Sequence, residues 1–574
     1  MKTYSIVAFY LVAFSLLFLN PISGFTKTVY VNSSANLQSA LTAAQAGDEI
    51  IVANGTYTGK FSITKNSGTA SNPIILRAEQ PHKAVLKGSG NFSDATNVGL
   101  TVSRAYWIIE GLEIKDYLLG MLIQNSSAHH VEVRHNLIHN FGARGIDINA
   151  SSNNSVHHNV VAFSPAVEGW SSYAGVSIGN NGQHNAVEHN IIYSMTNDGH
   201  QCGDAGGCGV GAKRGYGLTV AKSSNNMVRG NLIMDSAKGT LRVFSVPGDA
   251  YPTNYNQIKD NIFAFSEGGG VGVSDDVSSY NTVVNNFIYD VYYSGWTAKG
   301  NTPGFNIFQH NTTVVTAFSR VGNMLNRADD GGSSSATTVK DNLFYSSNAN
   351  GGSQYLWRVD DWSKAIKESH HNLFWRPGSS SVWTSGVTFH STDIRQQPQF
   401  VDSQNGDFSL APNSPGKAAA SDGKDIGIEF NEYLKKQWAR NISALPSQEK
   451  ATTGKSLSFS ASSANQYQVY VYIPDSTAYR GIETFSIEGN PIQRDYKNII
   501  AGGWVGAAPQ RWIYLGTHAN NGTLDVSWTQ TNTVGKIFIR QLPTPSEAYS
   551  WISGTEMQKP LPAPTALKLV AAGN

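Results

Sequence analysis

A short pattern recurs through the middle of the chain: one apolar residue, two polar ones, an asparagine, then two or three apolar residues. It reads HVEVRHNLIHN at 130–140, SVHHNVVAF at 155–163, AVEHNIIYS at 186–194 and MVRGNLIMDS at 227–236. It continues as QIKDNIFAFS at 257–266, TVVNNFIYD at 282–290, TVKDNLFYS at 338–346 and HHNLFW at 370–375. The shared asparagines are Asn136, Asn159, Asn190, Asn231, Asn261, Asn286, Asn342 and Asn372, with Asn311 added by FQHNTTVV. The shortest spacings are 23 and 25 residues, and insertions lengthen the others. A second short strand, opened by glycine, precedes several of these units: GIDIN, GVSIG, GLTVA and GVGVS. Such a unit cannot bury an apolar face alone, whereas stacked copies bury a continuous core. The expected fold is all-β, a right-handed parallel β-helix, with asparagine side chains stacked at one turn and bonded to the next coil. A β-propeller needs four strands in each repeat of about 40–45 residues, which these spacings do not allow.

The ends fit this reading. ANLQSALTAAQA at 35–46 is amphipathic, with Leu37, Ala40, Leu41 and Ala44 on one face, and is expected to be a helix closing the open end of the core. QPQFVDSQNGDFSLAPNSPGKAAA and DIGIEF, within 397–430, read as a closing segment. The repeat stops after Lys436, and 455–545 alternates as strands of a separate β-sandwich. The N-terminus carries Lys2, an apolar run from Ile6 to Leu19, then Asn20, Pro21 and small residues, which reads as a secretory signal peptide cleaved near Gly24. The expected organisation is a signal peptide over 1–24, a β-helix over 25–435, a β-sandwich over 450–545 and a tail over 546–574. The mature protein is expected to be extracellular or periplasmic, away from membranes, and monomeric.

Only 14% of residues are charged, and 42 basic against 41 acidic side chains leave a net charge of +1. No global field draws nucleic acid or anionic lipid, although a local basic cleft can still grip an acidic polymer. Two cysteines, Cys202 and Cys208, cannot form a disulfide framework, so packing must hold the fold. In an exported protein they are expected to pair as a local clip.

Residues 31–90 resemble the opening of the alginate lyase and chondroitinase B family of polysaccharide lyases. The resemblance rests on Leu37, Gly47-Asp48, Gly55-Thr56-Tyr57, Gly68-Thr69, Asn72-Pro73-Ile74 and Arg77-Ala78-Glu79. This opening is shared with pectate-lyase-like β-helix enzymes. A second stretch, Lys222-Ser223-Ser224-Asn225-Asn226-Met227-Val228-Arg229-Gly230-Asn231 followed by Ser236 and Gly239-Thr240-Leu241, is similar to the family's segment carrying its catalytic lysine. The resemblance implies Lys222 as base. Phe244 stands in the slot of the family's arginine, and Arg242 lies two positions earlier, on the same face of a strand. Gly215 and Gly217 stand where the family carries metal-binding glutamates, so a family-type Ca²⁺ site is not expected there.

β-Elimination from a uronic acid polymer needs a group that neutralises the carboxylate, a base for the neighbouring proton, and a donor to the leaving oxygen. Lys222 and Arg242, twenty residues or about one coil apart, supply the base and the neutralising cation or acid. Asp275 and Asp276 are the best acidic pair, placed to bind Ca²⁺ or to act as acid and base in a hydrolase. Asp147 is a further acidic candidate. The insertion 194–216 carries His200, Lys213 and Arg214 and is expected to wall a groove, with the two cations holding substrate carboxylates. Tyr293 and Trp296, with Trp170, Tyr173, Tyr292, Trp357 and Trp362, are candidates for sugar stacking. His129, His130, His135, His157, His158, His184 and His189 follow the repeat and are expected to be stacking or turn residues. Trp504, Trp512 and Trp528 make the sandwich either a sugar-binding or a packing module. The function read from the sequence is a secreted lyase acting on an alginate-like acidic polysaccharide. The alternatives are a β-helix glycoside hydrolase, a C5-epimerase, or a carbohydrate-binding protein without catalysis.

Overall fold

The computed structural model describes residues 27–164, 173–195, 215–245, 248–266, 269–274, 278–291, 294–299, 304–315, 322–327, 336–347, 355–359, 361–377, 384–452, 454–473, 482–495, 512–529 and 534–556. The expected signal peptide, Trp170, His200, Cys202, Cys208, Lys213, Arg214, Asp275, Asp276, Tyr292, Tyr293 and Trp504 lie outside the described residues.

Among the described residues the repeat folds into three long parallel sheets of 13, 12 and 12 strands, a right-handed parallel β-helix. One coil runs from the third sheet (for example Leu119–Gln124) to the first (Glu132–Arg134), then to the second (Leu137–His139), and back to the third (Arg144–Asn149). Each strand pairs in parallel with its equivalents one coil away, as Asp147 does with Leu122 and Ser177. The helix Ser34–Ala43 closes the N-terminal end, with Leu37, Ala40 and Leu41 buried against the core and the Ser33 hydroxyl accepting from the Asn36 amide.

The asparagine ladder forms at the turn between the first and second sheets. Asn136 Nδ2 donates to Asn159 Oδ1 at 3.0 Å, and the relay continues through Asn190, Asn231, Asn261, Asn286, Asn311 and Asn342 to Asn372. These side chains are buried and also satisfy backbone groups that the turn would strand. A second ladder, which the sequence reading did not single out, runs at the turn between the third and first sheets through Asn154, Asn185, Asn226, Asn256, Asn281 and Asn306. Asn231 Nδ2 donates to Val187 O, Arg229 O and Asn261 Oδ1, while its Oδ1 accepts from the Asn190 amide. Asn231→Ala is therefore expected to leave several buried groups unpaired and to cost about 3 kcal/mol or more. Thermal unfolding checks this, and an unchanged melting temperature would contradict the ladder's role.

The glycines that open the third-sheet strands sit at its corner with the second sheet. A Cβ on Gly145 would meet Val161 Cγ1 at 2.3 Å, one on Gly175 would meet Ile192 Cγ2 at 2.4 Å, and one on Gly217 would meet Ile233 Cγ2 at 2.1 Å. The corner is tight because each glycine lets the backbone approach a branched side chain of the second-sheet strand that follows later in the same turn of chain.

The described strands between 447 and 541 form two four-stranded antiparallel sheets around a core that includes Phe459, Val469, Phe485, Ile513, Val526 and Ile539. This sandwich, the closing segment and the helix Pro545–Glu556 cover the outer face of the second sheet. Leu137, Val160, Ile191, Leu232 and Ile262 on that face pack with Leu434, Trp438, Leu542 and Ile552. Buried Asp235 accepts from Gln468 Nε2 at 2.7 Å and from Tyr514 Oη at 2.8 Å, and burial raises its carboxyl above the ordinary range. Among the described residues no helix is long and apolar enough to cross a membrane.

Candidate functional site

The three faces of the coil differ in what they leave open. The second is apolar and covered. The first carries short strands whose charges pair among themselves: Arg134 bridges Glu110 and Glu132, and Arg229 meets Glu188. The insertions that lengthen the repeat fall, in chain order, at the edges of the third sheet. Segments 165–172 and 196–214 enter it, and 275–277, 300–303 and 328–335 leave it. A site built on a rigid sheet and bordered by loops therefore belongs on the outer face of the third sheet.

One column down this face is polar. Cross-strand register aligns Asp147, Ser177, Thr219 and Arg242 on successive coils. Arg242 Nη1 donates to Tyr216 Oη at 3.1 Å, and its guanidinium lies 4.2 Å from the Phe244 ring centroid and 5.7 Å from that of Tyr216. Lys238 Nζ stands 5.3 Å from the Tyr216 ring centroid. The phenol thus has two cations within reach, Arg242 on the neighbouring strand Gly239–Phe244 and Lys238 in the turn that leads into it, an arrangement that meets negative charge on or near its oxygen.

Lys222 follows the strand Gly215–Ala221 and has a left-handed backbone, φ 53°. It begins the turn toward the first sheet, with its amide donating to Phe244 O and its carbonyl accepting from the Asn181 amide. The side chain is 38% exposed and directed away from the apolar interior, with Nζ 2.8 Å from Asp249 Oδ1. Thr219 pairs with Arg242 and Ala221 with Phe244, so Lys222 lies level with Ser245. Lys222 and Arg242 occupy neighbouring coils as expected, but they are offset along the strand by about 10 Å rather than side by side.

Asp147 is buried, with Oδ2 2.6 Å from Arg144 Nη1. A carboxylate so enclosed and paired is poorly placed to attack a sugar or to activate water. Trp296 is not a sugar platform. It is fully buried in the coil interior, stacked on Phe308 with centroids 4.2 Å apart and planes 1° from parallel, because its strand position points inward. Trp357 is likewise core, stacked near Phe344 and Phe374, and Trp512 and Trp528 are buried in the sandwich. The histidines do stack: His135, His158 and His189 form a column with successive centroids 5.3 Å apart. Tyr216, Lys238 and Asp249 were missed in the sequence. Aligning Gly217 with Thr240 through the corner-glycine repeat would have brought Tyr216 beside Lys238 and Gly239.

The calcium question can be put to these residues directly. At Gly217 a side chain would run into Ile233 Cγ2 and the Thr240 carbonyl, 2.7 Å from a Cβ, so this slot points into a packed corner. A glutamate there would not face the groove, and the family's ligand set does not fit at this place.

Residues 23–207 match the model of the Pel9A-like right-handed β-helix region. A comparison with curated proteins returns no match. Among solved structures, an alginate lyase from a Paenibacillus species is similar at 20% identity, over 52% of this chain and 95% of that one, with a TM-score of 0.36. The PL6 family alginate lyase AlyGC is 18% identical over 72% of this chain, with a TM-score of 0.46, and the alignment spans 58% of that lyase. Pectate lyase Pel9A is 16% identical over 71% of this chain and 97% of its own length, with a TM-score of 0.43.

Proposed function

We propose that the protein cleaves a uronic-acid-containing, alginate-like polysaccharide by β-elimination on the outer face of the third sheet, as an exported enzyme. The observation that carries this reading is the pair of cations Lys238 and Arg242 at the Tyr216 phenol on the open face, with Lys222 and Asp249 at the far end of the Tyr216 strand. In this reading Arg242, helped by Lys238, neutralises the uronate carboxylate, which acidifies the proton on the adjacent carbon. Lys222, released from Asp249 and neutral, takes that proton. The bond from the next carbon to the glycosidic oxygen breaks, a carbon–carbon double bond forms between the two carbons, and the departing oxygen takes a proton from the Tyr216 hydroxyl. No step requires a metal.

Incubation with alginate, pectate and chondroitin tests the proposal. Cleavage should generate the ultraviolet absorbance of the conjugated double bond with at least one of these polymers. New reducing ends without that absorbance would replace the lyase by a hydrolase. Inverted uronates in an uncut chain would replace it by an epimerase, and binding alone by a lectin-like role.

A further inference from the structure

A second constellation lies far from this face, at the C-terminal end of the β-helix. The turn between the first and second sheets holds a column of left-handed residues, one per coil, immediately before the ladder asparagines. His135, His158 and His189 occupy it early in the repeat, and His310, Asp341 and His371 near its end. His371 is preceded by His370, the last residue of the strand Ile366–His370, and their Nδ1 atoms are 2.7 Å apart. The same contact recurs between His157 and His158 at 2.9 Å and between His129 and His130 at 2.8 Å, so it follows from the left-handed backbone of the second histidine of each pair. What differs at the last pair is the residue one coil earlier. In the column His158 has an imidazole there, His135, whereas His371 has the carboxylate of Asp341. Among the described residues only Asp341, His370 and His371 bring three such ligand atoms within 4.8 Å of one another.

The surroundings of these side chains are those of ligands held in place. His370 Nε2 lies 2.8 Å from Glu368 Oε1, which places the proton on Nε2 and leaves Nδ1 bare. Asp341 is fully buried. Its Oδ1 accepts from the Ser421 amide, and its Oδ2 accepts from Ser421 Oγ at 2.7 Å and Gln309 Nε2 at 3.0 Å, which fixes the carboxylate while leaving lone pairs for another partner. His371 Nδ1 is 3.3 Å from Thr392 Oγ1. Two nitrogens bound to one ion at about 2.0–2.1 Å stand roughly 3 Å apart, so a small rotation of the imidazoles suffices.

We propose that Asp341, His370 and His371 bind one zinc(II) ion or another late first-row divalent ion. Two imidazoles and one carboxylate suit such ions, whereas calcium and magnesium take oxygen ligands. The ion pins the last coils to the closing segment, because Asp341 also holds Ser421. This site is independent of the chemistry on the third sheet.

The test uses the full chain, stripped with a chelator and dialysed, and titrated with zinc chloride against a chromophoric competitor. Cobalt(II) absorption is read in parallel. One equivalent should bind and raise the melting temperature. His370→Gln and His371→Gln should each weaken binding by more than about tenfold, and Glu368→Gln by about tenfold through the lost tautomer support. His158→Gln should leave zinc binding unchanged. Asp341→Asn also loosens Ser421, so the three variants at 368, 370 and 371 decide the matter. Absence of stoichiometric binding, or binding unaltered in both His370→Gln and His371→Gln, overturns the proposal.

Discussion

Lys222→Ala is expected to lower turnover on the cleaved polymer by about a thousandfold, with KM changed little, because a positioned base acts in the transition state rather than in ground-state binding. Full activity in this variant would remove Lys222 from the mechanism. The ion pair with Asp249 makes a sharper companion test. Asp249→Asn preserves the shape of the side chain and removes the charge that holds Nζ, so turnover should change while KM changes little; turnover equal to that of the parent protein would mean that the pair plays no part in the chemistry. Tyr216→Phe, which keeps the ring between Lys238 and Arg242 and removes only the hydroxyl, separates the proton donor from the binding surface.

Mild acid should destabilise the fold through the histidine column. Burial, together with neighbouring His157 and Arg134, holds His135 at about 4. Burial and the surrounding imidazoles hold His158 at about 3, and burial with Arg229 and His157 holds His189 at about 4. The groups facing the column from other elements are Tyr549 against His135 and His82, and Tyr433 against His189, while Glu110 pulls His135 the other way. An unfolded histidine titrates near 6.5, so between that pH and the folded values the unfolded chain binds more protons. The stability these neutral imidazoles contribute is intact above about pH 6.5 and is lost as pH falls toward 4 and 3. One such shift corresponds to roughly 3 kcal/mol, and the coupled column loses less than three times that. Carboxylates contribute lower down: Glu113, whose site is desolvated, is nevertheless held at about 2 by hydrogen bonds from His139 and Lys115. Between pH 6.5 and 5 the histidines therefore act apart from Glu113, while Asp235, raised by burial, works in the opposite sense. Melting temperature should fall across this window, and His158→Asn, a residue that tolerates the left-handed backbone, should flatten the slope. An equally steep slope in that variant would contradict the assignment.

Much of the fold was legible because the forces that build it leave local marks. Asn136 through Asn372 had to be asparagine to satisfy turn groups above and below. Gly145, Gly175 and Gly217 had to lack a Cβ, and both constraints recur at the coil period. The second asparagine ladder was hidden because Asn154, Asn185 and Asn226 sit in turns already rich in polar residues, where one more asparagine carries no contrast. The site was read less well. Lys222 and Arg242 lie on neighbouring coils, as their separation implied, but their offset depends on register, which the corner glycines set rather than the separation in sequence. Trp296 was misjudged because an aromatic beside an insertion looks the same in sequence whether its strand position faces in or out. Tyr216, Lys238 and Asp249 became visible only when neighbouring coils were laid on one another.

The covered second sheet has a practical corollary. Val160, Ile191, Leu232 and Ile262 form a greasy stripe along the solenoid, and the C-terminal module is its lid. A shortened gene ending after Lys436 would ship the cylinder with that stripe bare to water, an adhesive seam for other copies. Anyone wishing to produce the cylinder alone would first have to repaint the seam with polar side chains, beginning at the positions that now touch Trp438 and Leu542.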